Sequence, residues 1–308
     1  MSALDKAVAD YLSLRRALGF KLHHETWWLP DFVAFVESLG SSTITTELAL
    51  RWAQQPPDAS PAWWARRLTA VRQFATHHRA SDPRTQIPAA DLLPAPKPRR
   101  ISPYLYTDEE ITVLLQQARS HPDPLMSATY TTILGLLAAT GMRVGEVLAL
   151  DQEDVDWYRY LLKVRSGKFG KSRNIPVHPS TVAALKGYAR ARDRLGPSRR
   201  TPSFFISRAG TRVIHQNFHH VFLRLIRVCG IGTRHVRRPR LHDLRHTFAV
   251  RIVRDWHRAG VDVEQRLPWL STYLGHVSPS STYWYLTATP ELLAPAGDRL
   301  ELAWGEQP

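Results

Sequence analysis

One cysteine, Cys229, stands in 308 residues. A single thiol excludes an intrachain disulfide framework and a cysteine-rich zinc site, and it fits a reducing interior. Its apolar neighbours Val228 and Ile231 predict a buried structural thiol rather than a nucleophile. No stretch reaches the roughly 20 apolar residues of a membrane span. The charged, amphipathic opening has no apolar signal-peptide core, so the expected compartment is the cytoplasm. Acidic residues are also short, at 27 Asp+Glu against 41 Lys+Arg. The resulting formal charge of +14 favours a polyanionic partner. With 44% hydrophobic residues, the chain holds enough apolar material for two ordinary cores.

The basic surplus is uneven. Residues 1–95 carry 10 Lys+Arg against 9 Asp+Glu, which leaves 31 against 18 for residues 96–308. A solubilising surface explains net charge in general and is the alternative for this asymmetry, which favours a polyanionic partner for the second part.

The N-terminal third reads as a small bundle of four helices. Ala7, Tyr11, Leu12, Leu14 and Leu18 predict a helix over 3–18 that ends at Gly19. Trp27, Trp28, Phe32, Phe35, Val36 and Leu39 predict a second, ending at Gly40, with Pro30 at its start or in its first turn. Residues 43–55 and 61–80 make two more. The last carries Arg66, Arg67 and Arg72 beside apolar Trp63, Trp64, Leu68, Val71 and Phe74, and these arginines are the expected DNA contacts; a solvated basic helix is the alternative. Residues 81–106 then change character. Pro83, Pro88, Pro94, Pro96, Pro98 and Pro103 recur with Lys97, Arg99 and Arg100, which suits an extended connection whose charges track phosphates. The expected division is a helical DNA-clamp domain over 1–92, a linker over 93–106 and a catalytic domain over 107–308.

Thr107 with Glu110 forms a capping-box signature that starts a helix over 108–120. An apolar helix over 130–139 stops at Thr140-Gly141, and Arg143 falls at the corner before helical spacing resumes; pairing with Glu146 is the plain reading of that arginine. Residues 160–165 and 173–177 read as a β-hairpin around a turn with Lys168 and Lys171, with Arg173 on the returning strand. Lys171 and Arg173 join the expected DNA contacts. Helices are expected over 181–194 and 216–229, and an arginine-rich loop then leads to His242. His242 and His246 have an i, i+4 spacing that could hold zinc, but position 243 is Asp and no third ligand is evident, so no metal is expected.

Together the motifs Thr140-Gly141-Met142-Arg143-Val144-Gly145-Glu146, Gly167-Lys168, His242-Asp243-Leu244-Arg245-His246-Thr247, Leu274-Gly275-His276 and Tyr285 resemble those of the tyrosine recombinase, or phage integrase, family. The resemblance covers about 200 residues of the second part; the first part is similar to the family's core-binding domain in size and helicity only. It implies a mainly α fold with a small β-sheet: an N-terminal helical core-binding (SAM-like) bundle and an α+β catalytic domain, clamped around double-stranded DNA and assembled as a homotetramer on two recombination sites, with accessory recombinase or directionality proteins as further partners. It implies a catalytic set of Arg143, Lys168, His242, Arg245, His276 and Tyr285, with no cofactor, metal or ATP. Tyr285 lies nine residues beyond His276 and Lys168 eight before Pro176, as in the family; Tyr283 and Lys171 are their competitors. The sequence departs from many relatives in having Leu286-Thr287 after the tyrosine in place of a histidine.

These residue types suit the implied chemistry. A phosphodiester attacked by a phenol gathers negative charge on its nonbridging oxygens, and guanidinium forks stay charged and donate paired bonds to them. His276 adds a donor, His242 serves as acid/base partner or phosphate ligand, and Lys168 protonates the departing 5′-oxygen. A 3′-phosphotyrosyl link conserves the bond energy for rejoining. The expected role is a site-specific recombinase or integrase of a mobile element. The alternatives are a recombinase that resolves chromosome or plasmid dimers, a topoisomerase with similar residues, and a DNA-binding relative without catalysis.

Overall fold

In the computed structural model, the residues described are 2–93, 102–165, 172–197, 201–233, 235, 237–276 and 282. The chain divides into two compact units, 1–101 and 102–308.

The first unit holds α1 (Ala3–Ala17), α2 (Glu25–Ser38), α3 (Thr46–Ala53) and α4 (Pro61–His78). Each of α1, α3 and α4 starts where a hydroxyl caps it. Ser2 Oγ accepts from the Asp5 amide at 3.0 Å while Asp5 reaches back to the Ser2 amide, and Thr45 and Ser60 cap the other two. Pro30 lies inside α2, in its second turn, rather than at its start. Polar Glu25 and Thr26 form an extra first turn that apolar periodicity does not register. An internal proline costs on the order of 3 kcal/mol, and the helix offsets this by burying Leu29, Phe32, Val33 and Val36 completely. Those four join Trp52, Val71 and Phe74 in the core.

The second unit begins before the expected end of the linker. Tyr104 and Tyr106 are already buried in its core because their rings pack edge to face at 5.0 Å, and the Tyr106 amide donates to Thr247 Oγ1 at 3.0 Å. Its helices are α5 (Asp108–Arg119), α6 (Pro124–Thr140), α7 (Val144–Ala149), α8 (Pro179–Leu195), α9 (His215–Val228), α10 (Leu241–Arg258) and α11 (Val263–Leu274). The capping box of Thr107 and Glu110 opens α5 with both bonds made. α6 starts six residues earlier than periodicity predicts: Asp123 caps the Met126 amide, and Pro124 sits where a missing N–H costs nothing. α6 is the central helix and packs on α5, α7, α8 and α10.

The expected hairpin is β2 (Leu161–Val164) with β3 (Arg173–Pro176), and β1 (Val155–Asp156) extends it to an antiparallel sheet in the order β1-β2-β3. In the register, Leu162 faces Ile175 and Lys163 faces Asn174; Leu162 and Ile175 are fully buried. Cys229 ends α9 half-buried with Sγ 3.9 Å from the Val113 carbonyl oxygen, and burial raises its pKa.

α6 ends on Gly141 in the left-handed region (φ +60°). A Cβ there would lie 2.5 Å from Phe248 of α10, so only glycine permits both this turn and this packing. The chain leaves the turn with Arg143 as N-cap of α7.

Candidate active site

α11 ends at Gly275, again left-handed (φ +67°), which leaves its last carbonyls without helical partners. Three consecutive carbonyls there are each held by a different arginine. Arg173 Nε donates to Tyr273 O at 2.9 Å, Arg245 Nη2 to Leu274 O at 2.7 Å, and Arg143 Nη2 to Gly275 O at 2.9 Å. The negative end of the helix dipole adds to the attraction. α7, β3 and α10 therefore converge on the turn that carries His276.

Arg245 is 2% exposed and also donates Nη1 to Gly141 O at 2.8 Å, so it joins the ends of α6 and α11. Arg143 keeps a quarter of its side chain exposed. Its Nη1 donates to Glu146 Oε1 at 2.7 Å and its amide to Glu146 Oε2 at 3.0 Å. Glu146 is buried and receives two further bonds from Arg173 Nη1 and Nη2, at 3.0 and 2.8 Å. Burial alone would raise the Glu146 pKa; the hydrogen bonds and charge of Arg173, with those of Arg143, outweigh it and hold the carboxyl below its ordinary value.

α10 is anchored at its first turn, where Asp243, with no exposure, accepts from the Arg240 amide at 2.8 Å and from Arg240 Nη2 at 2.8 Å. His242, Arg245 and His246 are thereby set on one face. His242 is exposed at the surface of the site and meets His246 ring edge to face at 4.8 Å. His276 Nδ1 lies 2.7 Å from Thr282 Oγ1, and the His276 amide donates to Ser271 O at 2.9 Å. Burial first, then the arginines around it, lowers the His276 pKa to about 3. Burial and Arg245 lower that of His242 to about 4, and burial and His242 lower that of His246 to about 4. All three are neutral near pH 7, the form that can accept a proton as well as donate one.

Of the residues expected from the sequence, Arg143, His242, Arg245 and His276 fall in the described part and gather at the α6, α10 and α11 ends. Lys168, Lys171, Tyr283, Tyr285, Arg99 and Arg100 lie outside the described residues. On α4, Arg66 is exposed and Arg72 half-buried. Arg67 is a correction. It is 7% exposed, stacks over Trp52 at 3.7 Å, donates to Trp52 O at 3.0 Å and pairs with Asp31 at 3.5 Å, so its guanidinium is held in the core of the bundle and is not on the exposed basic face. Arg173 is the second correction: with Nε, Nη1 and Nη2 all on protein acceptors, it faces inward. Sequence reasoning missed Thr282 as a partner of His276 and saw in Glu146 only a partner for Arg143. The capping-box spacing of Arg143 and Glu146 was the available signal. Among the described residues no group of three or more His, Cys, Asp or Glu is placed to hold a metal, and no helix is long and apolar enough to cross a membrane.

The model of the phage integrase family matches residues 105–291. A Sinorhizobium fredii protein, y4rB, itself inferred to be an integrase/recombinase, is 45% identical over the whole of both chains. The tyrosine recombinase XerD of Pseudomonas aeruginosa is 29% identical, covering 92% of this chain and 88% of that one. Among solved structures, the Tn1549 transposon integrase in complex with transposon right-end DNA has a TM-score of 0.64 at 16% identity, over 96% of this chain and 99% of that one. A lambda integrase dimer bound to a COC′ core site has a TM-score of 0.59 at 18% identity, over 90% and 96%. These two likenesses speak to the fold. Since the family's model spans more than half of the chain and a relative is 45% identical from end to end, the chain belongs to the phage integrase family and is a tyrosine-type site-specific recombinase.

Proposed function

We propose that this recombinase serves a mobile element and exchanges DNA strands through a 3′-phosphotyrosyl intermediate on Tyr285, working as a homotetramer on two recombination sites. The observation that carries the reading is the convergence of Arg143 and Arg245 on adjacent carbonyls of the turn bearing His276. Two guanidinium groups and an imidazole held at one turn form a cradle for a tetrahedral oxyanion. Tyr285 lies nine residues further along the chain. In the step proposed, the Tyr285 oxygen bonds to phosphorus as the bond to the 5′-oxygen breaks. Lys168 gives its proton to that oxygen, and neutral His242 takes the phenol proton. His276, whose Nδ1 is engaged by Thr282, donates to a nonbridging oxygen. Arg66, Arg72, Arg99, Arg100 and Lys171 supply backbone contacts that do not read sequence. The 45% identical integrase/recombinase supports the mobile-element role over dimer resolution, for which the XerD relatives give weaker support.

The test is a nicked duplex built from the DNA junctions that flank the gene, which traps the covalent adduct. Tyr285→Phe binds this DNA with affinity within about 3-fold of the unmutated protein, since only a hydroxyl is lost, and forms no adduct, while Tyr283→Phe still forms it. The two tyrosines would lie about 200° apart on a helix, so only one can face the clamp. An adduct mapped to Tyr283 overturns the assignment, and none from the unmutated protein favours a DNA-binding relative without catalysis.

A further inference from the structure

Glu146 poses an electrostatic problem for the clamp. The residue is 9% exposed, and its carboxylate lies directly against Arg143, the more open of the two clamp arginines. An isolated Arg143–Glu146 pair has no net charge, and a carboxylate so close to a bound phosphate would repel it. The structure places a second guanidinium on the same carboxylate. Oε1 accepts from Arg143 Nη1 at 2.7 Å and Arg173 Nη1 at 3.0 Å; Oε2 accepts from the Arg143 amide at 3.0 Å and Arg173 Nη2 at 2.8 Å. The trio of two arginines and one carboxylate is net positive. Arg173 is itself fixed by Tyr273 O, and a Cβ on residue 275 would lie 2.7 Å from its Nη1, so the guanidinium is packed beneath the His276 turn.

We infer that Arg173 is a positioning residue whose charge neutralises Glu146, so that Glu146 can orient Arg143 without cancelling the positive charge Arg143 brings to the scissile phosphate. The inference rests on Arg143 being a phosphate ligand, as proposed above. It also gives β3, the strand that follows Lys168 in the sequence, a direct tie to the clamp. A residue that only held β3, α7 and α11 together would have a different signature, because its loss could not be mended by removing a second bond from the same network.

The experiment is a mutant cycle on the full chain. The rate of covalent adduct formation on the nicked duplex is measured at saturating protein, beside DNA affinity and thermal melting. Arg173→Met lowers the rate roughly 10- to 100-fold, as loss of a partner that orients a ligating group does, and changes affinity far less. Adding Glu146→Gln to Arg173→Met raises the rate by about 5-fold or more, because the uncompensated carboxylate is gone. Arg173→Lys keeps the charge but loses the fork and falls between the unmutated protein and Arg173→Met. A double variant as slow as Arg173→Met, or slower, overturns the inference and leaves Arg173 a purely structural link. If Arg173→Met does not fold, the decision moves to Arg173→Lys, whose rate must rank above that of Arg173→Lys/Glu146→Gln only by the loss of Arg143 orientation, under about 5-fold; a larger gap overturns the inference. Failure of the underlying reading looks different: Arg143→Ala would then form adduct at the unmutated rate. No adduct from the unmutated protein overturns both.

Discussion

Arg143 and Arg245 have the same proposed chemical role but differ in structural burden, and replacing each by alanine separates the two. Arg245, 2% exposed, makes bonds of 2.8 and 2.7 Å to Gly141 O and Leu274 O. A hydrogen bond to a charged group contributes roughly 1.5–3 kcal/mol net, and a buried carbonyl left alone costs about 1–3 kcal/mol. Arg245→Ala removes both bonds and strands both carbonyls, so the expected loss is about 3–5 kcal/mol. That is a large part of the 5–15 kcal/mol typical of a domain. Arg143, a quarter exposed, holds one carbonyl, Gly275 O, and its partner Glu146 keeps Arg173 when Arg143 is gone. Arg143→Ala should cost only about 1–2 kcal/mol. Urea unfolding of the full chain, following the transition of the second unit, measures both. Both variants abolish adduct, but only Arg245→Ala shifts the midpoint strongly, which makes Arg143→Ala the cleaner probe of chemistry. An Arg245→Ala midpoint within about 0.5 kcal/mol of the unmutated protein, or a greater loss from Arg143→Ala, refutes the reasoning.

Acid stability follows from the three histidines of the site. The folded pKa of His276 is lowered to about 3 and those of His242 and His246 to about 4, against an unfolded value of 6.5. The unfolded chain therefore takes up protons first, so the stabilising contribution is present above pH 6.5 and is lost as pH falls towards 4 and 3. For His276 the loss by pH 5 is up to about 2 kcal/mol; melting between pH 7.5 and 5 should fall less steeply in His276→Gln, and equal slopes would sink the argument. Lys168→Ala should slow adduct formation about 100-fold or more, within the range of general acid catalysis, and a 5′-bridging phosphorothiolate should recover most of that, because sulfur leaves without a proton. Rescue of Lys171→Ala instead would exchange the roles of the two lysines.

Much of the fold was legible because caps and periodicity act locally. Thr107 with Glu110 located α5 to within a residue, and the two strand-like runs over 160–165 and 173–177 located β2 and β3. Where periodicity alone was used, boundaries slipped. α2 gained a polar first turn that displaced Pro30 inward, and α6 gained the turn that Asp123 and Pro124 announce. Tyr104 and Tyr106 read as linker because prolines surround them, yet their rings have more apolar area to bury than an exposed linker can leave in water.

The site shows a different limit. Arg143, Arg245, His242 and His276 could be named from motif spacing, but a count of arginines carries no information on which way each one points. Arg67, on a helix rich in arginine, and Arg173, within the basic second part, were both expected to contact DNA, and both turn inward onto carboxylates and carbonyls. The deciding features are long-range. Asp31 reaches Arg67 from another helix, and Arg173 meets Glu146 across 27 residues and Tyr273 across 100. Burying a guanidinium is costly unless each fork finds an acceptor, so an inward arginine implies acceptors brought there by the fold. At Arg173 those acceptors are the carboxylate that orients Arg143 and a carbonyl three residues before His276. The arginine misread as a contact for DNA therefore lies against the groups that would hold the phosphate.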